Sequence, residues 1–131
     1  MPLLVCLREG GAIAAVVNVS DIVRGSYEGA YLGYYSMEPH SGKGYLSEGL
    51  ALVLDFAFGK HRLHRLEANI QPANTRSKAL VRRLGFALEG YSERYLKVNG
   101  RFRDHERWAI RKETRRPRSG WSAGRFRRIS A

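Results

Sequence analysis

Ser41-Gly42-Lys43-Gly44-Tyr45-Leu46-Ser47-Glu48-Gly49-Leu50 joins two different patterns. Upstream, Ala30 to Ser36 is an aromatic-rich run of the kind strands favour, and Pro39 ends it. Downstream, apolar residues recur at Leu46, Leu50, Val53, Leu54, Ala57 and Phe58, and these spacings of three and four predict a helix that stops at Gly59. A glycine loop that opens a helix presents first-turn backbone N–H groups that have no acceptor inside the helix. The two glycines let a ligand approach the backbone, the helix dipole favours an anion, and Lys43 adds positive charge. The segment is no P-loop, and it lacks the Gly-x-Gly-x-x-Gly spacing of a dinucleotide fold. On local grammar alone, an anion site and a plain loop-to-helix turn both remain open.

Working outward, Leu3–Arg8 and the β-branched stretch Ala12–Val19 flank Glu9-Gly10-Gly11 and predict a hairpin, followed by a polar loop over Ser20–Gly29. His64–Ile70 alternates, with Leu66, Ala68 and Ile70 on one face and Arg65, Glu67 and Asn69 on the other, as a strand does. Asn74 is placed to cap a second helix running to Leu84, which Gly85 closes. Phe86–Val98 and Arg101–Ile110 then flank Asn99-Gly100, a strong hairpin signal. The predicted order is ββ-β-α-β-α-β-β, a mixed α/β layer.

The chain has 131 residues, 44% hydrophobic and 27% charged, which suits one soluble domain. No apolar run approaches the roughly 20 residues of a membrane span. Met1–Leu7 has no basic n-region, so no secretory signal is expected there. Its one cysteine, Cys6, excludes an internal disulfide, and a reducing, cytoplasmic setting with no membrane partner is expected. His61 and His64 have no cysteine or carboxylate at ligand spacing and are read as loop and strand-edge residues. The formal net charge is +11, but residues 111–131 carry eight Arg and Lys against Glu113, a net +7 that leaves only +4 for residues 1–110. That tail is read as a basic, disordered segment, separate from a domain over residues 1–110. It could contact RNA, tether the chain to a ribosome or have no role.

Taken together the blocks resemble the GCN5-related N-acetyltransferases (GNAT), and among them the RimJ/RimL-like ribosomal-protein N-terminal acetyltransferases. The resemblance is carried by Ser41–Leu50, by His64–Asn69, by Asn74-Thr75-Arg76-Ser77, by Arg83–Gly90 and by Asn99–His105, in the family's order. It implies a GNAT-type, mainly antiparallel sheet with helices packed on it, splayed open between the strands at 30–36 and 64–70. Acetyl-CoA, the acetyl donor, would pair with backbone near Ser36, Met37 and Glu38. Its pyrophosphate would rest on the Ser41, Gly42, Lys43, Gly44, Tyr45 and Leu46 segment. The resemblance further implies that Asn74 contacts pantetheine and that Ser77 sits near the thioester sulfur, able to protonate the departing thiolate. Where many relatives carry a tyrosine acid in the second helix, this chain has Val81.

Glu67 is the candidate general base, and pairing with Arg65 or Arg94 is its plain alternative. Tyr31, Tyr34 and Tyr35 are assigned to packing, with one of them allowed to line the acceptor cleft. The family also has a strand and two helices ahead of the hairpin, so Leu3–Leu7 is expected to be an open sheet edge. Either the chain starts inside the family's domain or another subunit supplies that wall. The implied reaction is acetyl transfer to a primary amine, foremost a protein N-terminus, including that of a ribosomal protein. A non-catalytic acetyl-CoA- or RNA-binding module, or transfer to a small-molecule amine, stands as the alternative. A cationic body disfavours polyamines among such small amines.

Overall fold

The computed structural model describes residues 1–7, 10–36 and 44–115, together with the backbone of 126–130. Strands β1 (Pro2–Leu7), β2 (Ile13–Val23) and β3 (Gly29–Ser36) precede helix α1 (Tyr45–Phe58). Strand β4 (Arg65–Ile70) and helix α2 (Thr75–Leu84) follow, then β5 (Ala87–Val98) and β6 (Arg101–Arg111). A short 3₁₀ turn at Lys112–Thr114 comes next, and β7 (Phe126–Ser130) is the last element. The sheet order is β5-β6-β4-β3-β2-β1-β7, and every neighbouring pair is antiparallel except β3 with β4.

Both helices pack on one sheet face. The apolar stripe of α1, which includes Leu50, Val53, Leu54, Ala57 and Phe58, is buried in a core with Leu3, Val5, Val17 and Val19. From α2, Val81 and Leu84 join Leu66, Ala68, Ile70, Trp108 and Ile110 in the same core. Gly49 lets α1 approach closely, since a Cβ there would lie 2.9 Å from Val5 Cγ1. Asn74 caps α2 as expected, accepting the Ser77 N–H at 3.2 Å, and Gly85 closes it at φ 101. Cys6 is buried. No helix among the described residues is long and apolar enough to cross a membrane.

Three expectations are revised. Strand β2 runs on to Val23, its pairing with β3 resuming at Val23↔Gly29 after a register shift in which Asp21 takes φ 53. The tail is not structureless throughout: Arg111 closes β6, Lys112–Thr114 is a 3₁₀ turn, and Phe126–Ser130 is a strand. That strand pairs with β1 from Leu4↔Ser130 to Leu7↔Phe126, so the edge expected to stand open is laddered by the chain's own C-terminal segment. Arg115 also docks: its guanidinium pairs with Asp55 and donates to the Ala51 carbonyl at 3.1 Å.

Candidate active site

Strands β3 and β4 are paired only at Gly29↔Arg65, Ala30↔Leu66 and Tyr31↔Glu67. Beyond those pairs β3 continues to Ser36 and β4 to Ile70 without laddering to each other, so the sheet splays where the resemblance requires it. On the helix side the splay opens into a cleft of about 630 Å³. Its walls are Tyr34 and Ser36 of β3, Gly44, Leu46 and Ser47 at the start of α1, and the Asn74, Arg76, Ser77, Leu80 and Arg83 stripe of α2.

Local chemistry explains these positions. Gly44 is the N-cap of α1 at φ 78, a left-handed conformation that glycine adopts without steric cost, and its missing side chain leaves the cleft wall bare. The first-turn amides of α1 therefore face ligand space with the positive end of the helix dipole behind them. Ser77 is held by the Asn74 cap, and its hydroxyl meets the Tyr34 hydroxyl at 2.5 Å, tying β3 to α2. Burial pushes the Tyr34 phenol above its ordinary pKa, a rise partly opposed by the Ser77 hydrogen bond. The cleft thus offers backbone donors, two guanidinium groups and a pair of hydroxyls, a donor set suited to a phosphorylated, extended ligand.

The predicted site residues divide into three groups. Ser36, Gly44, Leu46, Asn74 and Ser77 come together around the cleft, with Tyr45 in the first turn of α1. Met37, Glu38, Ser41, Gly42 and Lys43 lie outside the described residues. Glu67 stands apart, on the sheet face that carries no helix among the described residues. There its Oε1 accepts from Tyr27 Oη at 2.8 Å and Arg65 Nε at 2.9 Å, while Arg65 also pairs with Glu89. Tyr27 is raised above the ordinary phenol value, first by burial and then by its bond to Glu67. Val81 is fully buried and far from any acid role. His64 faces Glu113 at 2.9 Å, and His61 packs edge-on against Phe56 at 4.7 Å.

Sequence reasoning gave Arg76 and Arg83 no site role, and it assigned Tyr31, Tyr34 and Tyr35 to packing with one of them allowed to line the acceptor cleft. For the arginines a signal existed: Arg76, Leu80 and Arg83 fall at i, i+4 and i+7, one stripe of α2. For Tyr34 the only cue was strand parity, which puts it on the same face as Ala30 and Leu32.

A splayed sheet with a cationic, hydroxyl-bearing cleft at a helix N-terminus defines a fold with a site for an extended anionic ligand. The chain belongs to the family described as Acetyltransferase (GNAT) domain, which matches residues 1–87. It is 42% identical over 93 residues to the [Ribosomal protein uS5]-alanine N-acetyltransferase of Escherichia coli (strain K12), covering 71% of this chain and 48% of that protein. The Probable N-acetyltransferase YjcK of Bacillus subtilis (strain 168) is 37% identical over 98 residues, covering 75% of this chain and 54% of that one. Mycobacterium smegmatis RimJ, solved in complex with CoA-disulfide, superposes with a TM-score of 0.79 at 33% identity, over 95% of this chain and 61% of that one. The chain spans about half the length of the curated relatives it matches.

Proposed function

We propose that this chain binds acetyl-CoA in the cleft and transfers its acetyl group directly to a primary amine, foremost the α-amino group of a protein such as a ribosomal protein. The observation that carries the reading is the cleft closing on the splay between β3 and β4, with the Tyr34–Ser77 hydroxyl pair at its floor. The relatives named for uS5-alanine acetylation and the CoA-bound RimJ support the donor and the class of acceptor.

In this reading the pyrophosphate rests on the amides of the Ser41–Leu46 segment, and Arg76 and Arg83 supply positive charge along the cleft wall. Pantetheine runs beside the end of β3 at Ser36, Met37 and Glu38, with Asn74 contacting it from α2. The neutral amine nitrogen attacks the thioester carbonyl carbon and a C–N bond forms. The C–S bond then breaks, the thiolate takes a proton from Ser77, Ser77 recovers it from Tyr34, and the Tyr34 phenolate regains a proton from solvent water as product leaves. A phenol, with an ordinary pKa of about 10, is protonated through neutral pH, as a donor requires. The nitrogen loses its extra proton on the open sheet face. Because Glu67 is engaged by Tyr27 and Arg65, water is the better proton acceptor there. An α-amino group with a pKa of roughly 7.7–8.0 already has a useful neutral fraction near pH 7, so a strong base is not needed.

The test is incubation of the full chain with acetyl-CoA and peptides differing only in a free or blocked N-terminus, read by mass spectrometry. A gain of one acetyl group on the free α-amine supports the reading. Acetylation of lysine side chains alone, or of neither amine, contradicts it.

A further inference from the structure

Asn69 lies two residues past the last β3–β4 pair, on the same face of β4 as Glu67 and at the border of the splay. Its Oδ1 is buried, and no donor among the described residues reaches it. Buried polar side chains are paired in the large majority of cases, so an exception beside the splay between β3 and β4 calls for an occupant.

The surroundings explain why Oδ1 stands unpaired. Register sets Asn69 beside Arg107 of β6, whose guanidinium would be the natural donor. Arg107 turns instead towards β5, where its Nε donates to Ser92 Oγ at 3.1 Å. It can do so because residue 90 is glycine: a Cβ there would lie 2.1 Å from Arg107 Nη2. On its other flank β4 has no ladder partner beyond Glu67. Tyr95 of β5 stands edge-on to the buried His105 of β6 at 6.4 Å.

We propose that Asn69, and not Glu67, receives the acceptor amine, its Oδ1 accepting a hydrogen bond from the attacking nitrogen as the amine enters from the open face. This inference rests on the acetyltransferase reading above. An amide carbonyl takes no proton at neutral pH, so Asn69 orients the nitrogen and leaves deprotonation to water. Its neutrality also bears on specificity. A carboxylate here would stabilise an ammonium and raise the amine's pKa, whereas an amide leaves it unchanged. The site therefore favours α-amines, near 7.7–8.0, over lysine side chains near 10.4.

The test measures binding rather than turnover. CoA and a conjugate joining CoA through an acetyl bridge to the α-nitrogen of a hexapeptide beginning Ala-Gly are titrated calorimetrically into the full chain and its variants. The linked nitrogen keeps one N–H for Asn69. Wild type is expected to bind the conjugate at least 10-fold more tightly than CoA. Asn69→Ala should lose most of that gain while holding CoA within twofold, and Asn69→Asp, which retains the acceptor, should keep it. A gain undiminished in Asn69→Ala overturns the inference and leaves the acetyltransferase reading standing. A parallel loss of CoA and conjugate binding in Asn69→Ala, accompanied by a lower Tm, assigns Asn69 a structural role and also overturns it. A wild type that binds neither ligand overturns the parent reading and the inference with it, whereas one that binds both equally overturns the inference alone.

Discussion

Replacing Tyr34 with phenylalanine removes one oxygen from the cleft and leaves the ring in place. Tyr34 packs against the core, and its hydroxyl meets Ser77 Oγ at 2.5 Å, so the substitution breaks one hydrogen bond at little cost in packing. On stability that loss is worth about 1 kcal/mol, or about 4 °C in Tm for a chain of this size. On activity the expected effect is larger. General acid catalysis contributes roughly 10²–10⁴-fold, and a thiolate near the cysteine pKa of about 8.5 is a good leaving group that places this case at or just below the low end. We expect kcat/KM to fall about 30–100-fold in Tyr34→Phe, with acetyl-CoA affinity held within about threefold. Because Ser77 passes on the proton that Tyr34 supplies, Ser77→Ala and the double variant should show nearly the same loss as either single change. Steady-state kinetics of the four proteins, with acetyl-CoA titrations on each, complete the cycle. Additive losses would show two independent roles. An active, acetyl-CoA-binding Tyr34→Phe within twofold of wild type would refute the relay.

Asn74→Ala removes the α2 cap that holds the Ser77 amide, and should cost about 1 kcal/mol by thermal denaturation while weakening acetyl-CoA binding in calorimetry. Gly49→Ala gains helix propensity of about 1 kcal/mol but sets a Cβ 2.9 Å from the stiff, fully buried Val5. Overpacking should win, lowering Tm, and the Val5→Ala, Gly49→Ala pair should recover part of the loss. The Arg65 guanidinium holds the Glu89 carboxyl below its ordinary range, and Tyr91 and the Arg94 N–H do the same for Asp104. A lowered folded-state pKa contributes stability that is present above the unfolded value of about 4 and is lost as pH falls through the folded one. Tm should therefore hold between pH 5 and 8 and decline below about pH 4, with a shallower decline in Glu89→Gln.

Much of this architecture was written in local pattern. The spacing of Leu46, Leu50, Val53, Leu54 and Ala57 specifies α1, Asn74 and Gly85 bracket α2, and Asn99-Gly100 turns the last long hairpin. The strand at Phe126–Ser130 escaped because its stability comes from pairing with β1, which lies over a hundred residues away in sequence and which no local propensity in an arginine-rich tail reports. Strand parity located Glu67 and Asn69 on one face, but it could not tell which of them was occupied. Of the two partners that engage Glu67, Arg65 was the alternative legible on the strand, Tyr27 lies forty residues earlier, and the group that spares Asn69 is a glycine on β5. Site chemistry of this kind is decided by tertiary neighbours, whereas the site's location followed from the loop-to-helix junction and the α2 cap.

Acetyl-CoA binding by the full 131-residue chain, measured by calorimetry beside Gly44→Glu and Gly44→Asn, tests the central claim most directly. Glutamate sets a carboxylate where the donor's phosphates would lie and strains a backbone at φ 78, whereas asparagine tolerates that conformation without adding charge. The account predicts saturable one-to-one binding by wild type, retained in weakened form by Gly44→Asn and abolished in a folded Gly44→Glu. A folded, monodisperse wild type that takes up no acetyl-CoA, or a Gly44→Glu variant that binds it as tightly as wild type, would contradict it.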